Sequence, residues 1–180
     1  MGISFTVNQE KVLEAIVYIA SKKPGIDIYH TVKTMFYADK LHLNRYARPV
    51  LGDIYIKMEN GPVPSFVRDV ITFSSFLPEG FRQKAEQAFS TSGKIKKITV
   101  KRSPELKEFS ETDIECLNEA LDLCKDKTFE ELKELTHKET AWIKASMSGA
   151  LDYSLLVDVD NPYHDDIICD LVENGKFMVI

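Results

Sequence analysis

Residues 36–64 read FYADKLHLNRYARPVLGDIYIKMENGPVP, passing from an apolar helical pattern through a Gly-Asp turn into an alternating run and a proline-rich corner. At 3.6 residues per turn, Val32, Met35, Phe36, Leu43 and Tyr46 share one stripe, with Asp39 at its centre. Tyr37 and Leu41 make the opposite face apolar too, so the spacing predicts a central helix. A carboxylate in such a place is costly unless it finds donors or an opposite charge. His42, at i+3, stands within reach, and Arg45, Arg48 and nearby tyrosines are further donors. The Asp39 and His42 pair admits two readings: a hydrogen-bonded packing device, or part of a functional site.

Outward from this stretch the pattern is mostly helical. Val12, Ile16, Ile19 and Ala20 give an earlier helix its buried stripe, with Asn8 as cap and Lys23-Pro24-Gly25 as stop. Asp27 caps the central helix, and Arg48-Pro49 ends it, because the residue before proline is pushed out of helical geometry. Residues 53–58, DIYIKM, alternate as a strand, and Asn60-Gly61-Pro62 is a turn signal. Pro64-Ser65 opens a further helix that buries Phe66, Val67, Val70, Ile71 and Phe73, and residues 79–89 form another. Residues 97–101, KITVK, read as a second strand antiparallel to the first. Ser110-Glu-Thr-Asp113 and Thr128-Phe-Glu-Glu131 are capping boxes, and Asn161-Pro162 starts a last helix. The expected fold is mainly α with some β: a bundle of six to eight helices and a small antiparallel hairpin or sheet.

The 180 residues suit one domain, and a chain of this length buries about 70% of its unfolded surface without staples. Cys116, Cys124 and Cys169 are an odd set without CxxC spacing, so free thiols and a reducing cytoplasm are expected. No export signal or membrane span is indicated; a Met-Gly start with Thr6 nominally fits an N-myristoylation motif. The net charge of -5 hides an asymmetry, +7 over residues 1–102 and -12 over residues 103–180, which favours a protein partner over nucleic acid. Residues 94–102, KIKKITVKR, carry a basic strand without aromatic interleaving, consistent with edge lysines that discourage aggregation. Phosphate-loop, dinucleotide, nucleophile-elbow and HExxH motifs do not occur.

Two further local constellations stand out. His137 and Trp142 lie together in LTHKETAWIKA, a packing anchor unless tertiary structure brings them against Asp39 and His42. His164-Asp165-Asp166, with His42 or His137 and Asp170, suggests the ligand set of HD-type metal-dependent phosphohydrolases. Such an enzyme would use Asp39, His42, His137 and Asp165. The doublet sits too close to the C-terminus for the usual later helix, and its acids also complement a helix dipole.

The segment YADKLHLNRYARPVLGDIYIKMENGPVPSFV, followed by LTHKETAWIKA, resembles the Panacea domain, a family of SocA-like antitoxins and prophage-associated proteins. The N-terminal pattern rests on Tyr37, Ala38, Asp39, His42, Leu43, Tyr46, Pro49, Gly52, Asp53, Tyr55, Gly61, Pro62, Val63 and Pro64, and the C-terminal one on His137 and Trp142. The likeness is strongest over residues 10–145 and leaves residues 146–180 as a C-terminal helical extension. It implies a non-enzymatic antitoxin that binds a cognate protein toxin directly, with no cofactor or metal. One branch of the family delivers its toxin to an ATP-dependent protease, which makes such a protease a second expected partner. Asp39, His42, His137 and Trp142 would then form a structural polar cluster. Tyr55, Glu59, Asn60, Gly61, Pro62, Val63 and Pro64 would supply partner contacts. Many relatives add a DNA-binding helix-turn-helix, which this sequence lacks, so no direct nucleic-acid contact is expected.

Overall fold

A computed structural model of the chain describes residues 3–178 and residue 180. Gly2 and its myristoylation motif start lie outside the described residues. Two helices form the centre. Helix α1 (Gln9–Lys22) starts where the Asn8 side chain accepts the Lys11 N–H, and α2 (Ile28–Tyr46) starts where Asp27 accepts that of His30. Each cap satisfies a backbone donor that the first helical turn leaves without a partner. Helix α2 ends earlier than Arg48-Pro49 predicts: Ala47 takes a left-handed φ of 56° and its N–H closes on the Leu43 carbonyl. Every residue from 31 to 39 of α2 is buried, Lys33 included, while Tyr46 is exposed.

Strands β1 (Tyr55–Met58) and β2 (Gly61–Pro64) form an antiparallel hairpin, so the proline-rich corner is itself a strand. Helices α3 (Ser65–Ile71) and α4 (Glu79–Ala88) follow, then a second hairpin of β3 (Phe89–Ser92) and β4 (Lys97–Val100). The expected pairing of residues 97–101 with the first strand is thus overturned: β4 pairs with β3, and the two hairpins belong to separate sheets. Chain proximity decides it, since a four-residue turn through Gly93 (φ 72°) joins β3 to β4 directly.

Both predicted capping boxes are present, at Ser110 before α5 (Glu111–Cys124) and at Thr128 before α6 (Phe129–His137). Short α7 (Thr140–Lys144) and α8 (His164–Asn174) complete eight α-helices among the described residues, a mainly α fold with a small β component. Asn161 does not cap α8. Its side chain accepts from Tyr163 N–H at 3.0 Å and donates to the Asn44 carbonyl at 2.8 Å instead. Helix α5 packs along α2 more extensively than any other pair of elements meets, and buried Cys116, Leu117, Ala120, Leu121 and Cys124 are its inner face.

The last 35 residues are less helical than expected. Ala150 bridges Ile56 antiparallel to β1, Leu151 N–H donates to the Tyr55 carbonyl at 2.8 Å, and Leu151, Tyr153, Leu156, Ile167 and Leu171 join the core. This segment completes the environment of β1.

Candidate partner-binding site

Asp39 is fully buried. Its Oδ1 accepts the Leu51 N–H at 2.7 Å, and its Oδ2 accepts from Gly52 N–H at 3.1 Å, Tyr55 hydroxyl at 2.9 Å and Tyr153 hydroxyl at 3.3 Å. Burial pushes the carboxyl up to about 6, and the Leu51, Tyr55 and Gly52 donors hold it from going higher. One side chain thereby fixes the turn after α2, the start of β1 and the segment after α7. Asp53 repeats the device one step on, taking Phe66 N–H at 3.0 Å and Val67 N–H at 2.8 Å at the start of α3. Gly52, at φ 64°, is needed because an added Cβ would lie 2.8 Å from that of Phe5.

The β1–β2 turn is held from the other end by its carbonyls. Trp142 Nε1 donates to Met58 O at 3.2 Å, His137 Nε2 to Glu59 O at 3.0 Å, Tyr29 hydroxyl to Asn60 O at 3.1 Å and Lys33 Nζ to Pro62 O at 2.8 Å. His137 and Trp142 stack with ring centroids 3.8 Å apart and 14° between planes, and Lys57 Nζ caps the indole face at 4.3 Å. Gly61, at φ 99°, has no room for a side chain, since a Cβ would strike Thr136 Oγ1 and Lys33 Nζ. Four side chains from α2, α6 and α7 thus lock a turn that a two-stranded hairpin alone would leave marginal.

Residues 32–143, more than half of the chain, match the family model described as antitoxin SocA-like, Panacea domain. The chain belongs to the SocA-like Panacea family. No curated protein and no solved structure matches it. Asp39, Gly52, Asp53, Tyr55, Gly61, His137 and Trp142, all within the matched segment, build or clamp the first hairpin. Tyr153, outside the matched segment, closes the same Asp39 site.

The four polar residues grouped by sequence do not form one cluster. Asp39 and His42 turn away from each other, each satisfied elsewhere. His42 Nδ1 donates to Arg48 O at 2.7 Å, and its Nε2 lies 3.0 Å from Thr112 Oγ1 and 3.3 Å from Asp113 Oδ1. Burial, with Arg48 and Lys11 nearby, holds His42 below the usual histidine range. His137 and Trp142 sit at the hairpin turn, a third place. Asp165 is exposed beside His164, and among the described residues no three His, Cys, Asp or Glu side chains gather to hold a metal ion. The ligand set of the phosphohydrolase reading is therefore not assembled.

The residues singled out for partner contact divide. Tyr55, Gly61, Pro62 and Pro64 are buried and set the shape, whereas Glu59 and Asn60 are exposed and Val63 is half-buried. Met58, Ile143 and Met147, which sequence reasoning did not single out, add exposed apolar surface at the same turn, Ile143 through its carbonyl contact with Lys57. Beside them lies a groove of about 350 Å³ lined by Lys33, Ile56, Met58, Glu59, Val63 and Arg68, among others. Lys33 also escaped sequence reasoning, although it lies among Val32, Met35, Phe36 and Tyr37 on a helix read as apolar on both faces.

Proposed function

We propose that the chain is the antitoxin of a toxin–antitoxin system and neutralises a cognate protein toxin by direct contact through the locked hairpin turn. The supporting observation is the turn itself. Its backbone is clamped by four side chains while Met58, Glu59 and Asn60 stay exposed, with Ile143 and Met147 alongside. A rigid presented turn loses little conformational entropy on binding, and exposed apolar anchors with a polar rim are what protein recognition uses. The membership in an antitoxin-like family points the same way.

Co-expression with the product of the adjacent open reading frame tests this reading. Restored growth and a stoichiometric complex are expected, and a Met58→Asp, Ile143→Asp double variant should lose both while melting at the same temperature. A neighbour that stays toxic without binding the chain, or a double variant that protects as well as the parent, defeats the proposal. Toxin half-life, followed with and without the chain, separates steric neutralisation from delivery to a protease: only delivery shortens it.

A further inference from the structure

We propose that the groove beside the hairpin is the receptor for an acidic, apolar-flanked segment of the protein partner, whose carboxylate is held by Arg68, with the buried, unpaired Lys33 behind the groove wall. The inference deepens the antitoxin reading and rests on it for the partner's identity, though not for the groove's chemistry.

Lys33 carries the first argument. Its ammonium has three donors, yet its one hydrogen bond goes to the Pro62 carbonyl, and among the described residues no carboxylate forms an ion pair with it. The Tyr29 ring, 5.0 Å from Nζ, offers weak compensation. Fully buried lysines are normally paired: Lys11 pairs with Asp113 at 3.0 Å and Glu14 with Arg102 at 2.9 Å, while the buried carboxylates Asp39 and Asp53, without ion pairs, each collect several neutral donors. Arg68 on α3, exposed at the same groove, likewise has no ion-pair partner among the described residues.

Charge complementarity supplies the second argument. The chain is acidic overall, at -5, but the groove brings Arg68, and Lys33 in whatever part stays protonated with burial lowering it to about 7, against the single carboxylate of Glu59. His137, at the adjoining turn, is held below the usual histidine range by burial and then by Lys133, Lys33 and Lys57, while Glu130 and Asp27 act on Tyr29 at the groove's other side. Ile56, Met58 and Val63 supply an apolar wall for a neighbouring side chain. Strand addition is not available as a binding mode at β2: Pro62 and Pro64 have no N–H, and the Pro62 carbonyl is already taken. Recognition therefore falls to side chains, where a carboxylate on the exposed Arg68 gains charge-assisted bonds and faces the buried Lys33 behind it.

Panning a display library of random dodecapeptides on the full chain at about 0.15 M salt tests the groove without any toxin, and that salt screens exposed charges beyond about 8 Å. The expected result is enrichment of peptides with Asp or Glu next to Leu, Ile or Met. The best synthetic peptide should weaken at least about tenfold when its acid becomes the amide and equally on Arg68→Gln, a loss that one good charge-assisted contact produces, with a smaller loss on Lys33→Met. Arg68→Gln changes an exposed side chain, so folding is not at issue. Failure to enrich peptides, enrichment without acids, or unchanged binding to both variants overturns the proposal, and so does full competition by millimolar free glutamate, which assigns the groove to a small carboxylate. If the groove fails while neutralisation holds, the toxin docks elsewhere; if the groove binds while neutralisation fails, the antitoxin reading falls alone.

Discussion

Asp39 and Lys33 sit six residues apart on the same helix, carry opposite charges and are both fully buried, yet the protein treats them in opposite ways. The carboxylate receives four donors from three parts of the chain; the ammonium has one carbonyl. Burial pushes Asp39 up to about 6 and Lys33 down to about 7, so one is ionised at neutral pH because its donors hold it there, and the other is at the edge of losing its proton. A saturated buried charge is a fixed point of the scaffold. An unsaturated one marks a surface where the fold has left bonding capacity unused.

Removing the saturated charge gives the largest effect. Asp39→Ala strands the Leu51 and Gly52 N–H groups, each costing about 1–3 kcal/mol when buried without a partner, while the Tyr55 and Tyr153 hydroxyls keep the Met35 and Asp53 carbonyls, so a loss of at least about 2 kcal/mol is expected. Urea unfolding followed by circular dichroism measures it. A midpoint within error of the parent would show that the four bonds are incidental, and the comparison would collapse.

The hairpin that both charges serve is tested by Gly61→Ala. A side chain at φ 99° is strained, and its Cβ would displace Thr136 and the Lys33 ammonium. A loss of about 2 kcal/mol is expected, together with weaker binding of any acidic peptide, because Lys33 Nζ is the atom that must move. Loss of stability with unchanged peptide binding would separate the turn from the groove.

Lys33→Met should change stability little at pH 7. Removing a buried, poorly satisfied ammonium stabilises by about 1–2 kcal/mol, and stranding the Pro62 carbonyl that it holds costs about as much. The pH dependence sharpens this. A lysine lowered from 10.5 to about 7 binds fewer protons folded than unfolded across that window, so its cost is full below pH 7 and is relieved as pH climbs toward 10.5. Around Nζ, Tyr29 and Cys124 are both pushed up to about 12 and stay neutral through pH 9, and His137 is neutral above its lowered range. The stability of the variant relative to the parent should therefore fall between pH 7 and pH 9. A difference that stays constant would mean Lys33 is charged throughout and better satisfied than its bonds suggest.

How much of this was legible in the sequence follows from the range of the interactions. Caps at Asn8, Asp27, Ser110 and Thr128 join residues three apart, and all were readable. The strand at residues 55–58 was readable by alternation, but its partner Gly61–Pro64 was not, because two prolines in four residues argue for a turn. Phe89 read as the last residue of a helix, which hid the true partner of β4. Asp39 was recognised as a buried group needing donors, while the donors themselves lie 12, 13, 16 and 114 residues away, beyond any local pattern. His42, at i+3, was the only neighbour that helical spacing offered, and it bonds to Arg48 and Thr112 instead. Lys33 passed unnoticed because a lysine is read as solvated by default, although the apolar residues on both sides of it left no solvated face.

Arg68→Gln carries the smallest stability effect and the cleanest separation. The side chain is exposed and makes no ion pair among the described residues, so its removal should leave the unfolding midpoint within about 0.5 kcal/mol. If the groove is a carboxylate receptor, the same change still weakens acidic-peptide binding about tenfold, since a guanidinium presents a planar fork to a carboxylate that glutamine cannot reproduce. Arg68→Lys should recover only part of the affinity, because it restores the charge without the two-pronged geometry. Full recovery by lysine would mean the groove reads charge alone, and Lys33 would then be one contributor to a diffuse positive field rather than part of a built receptor.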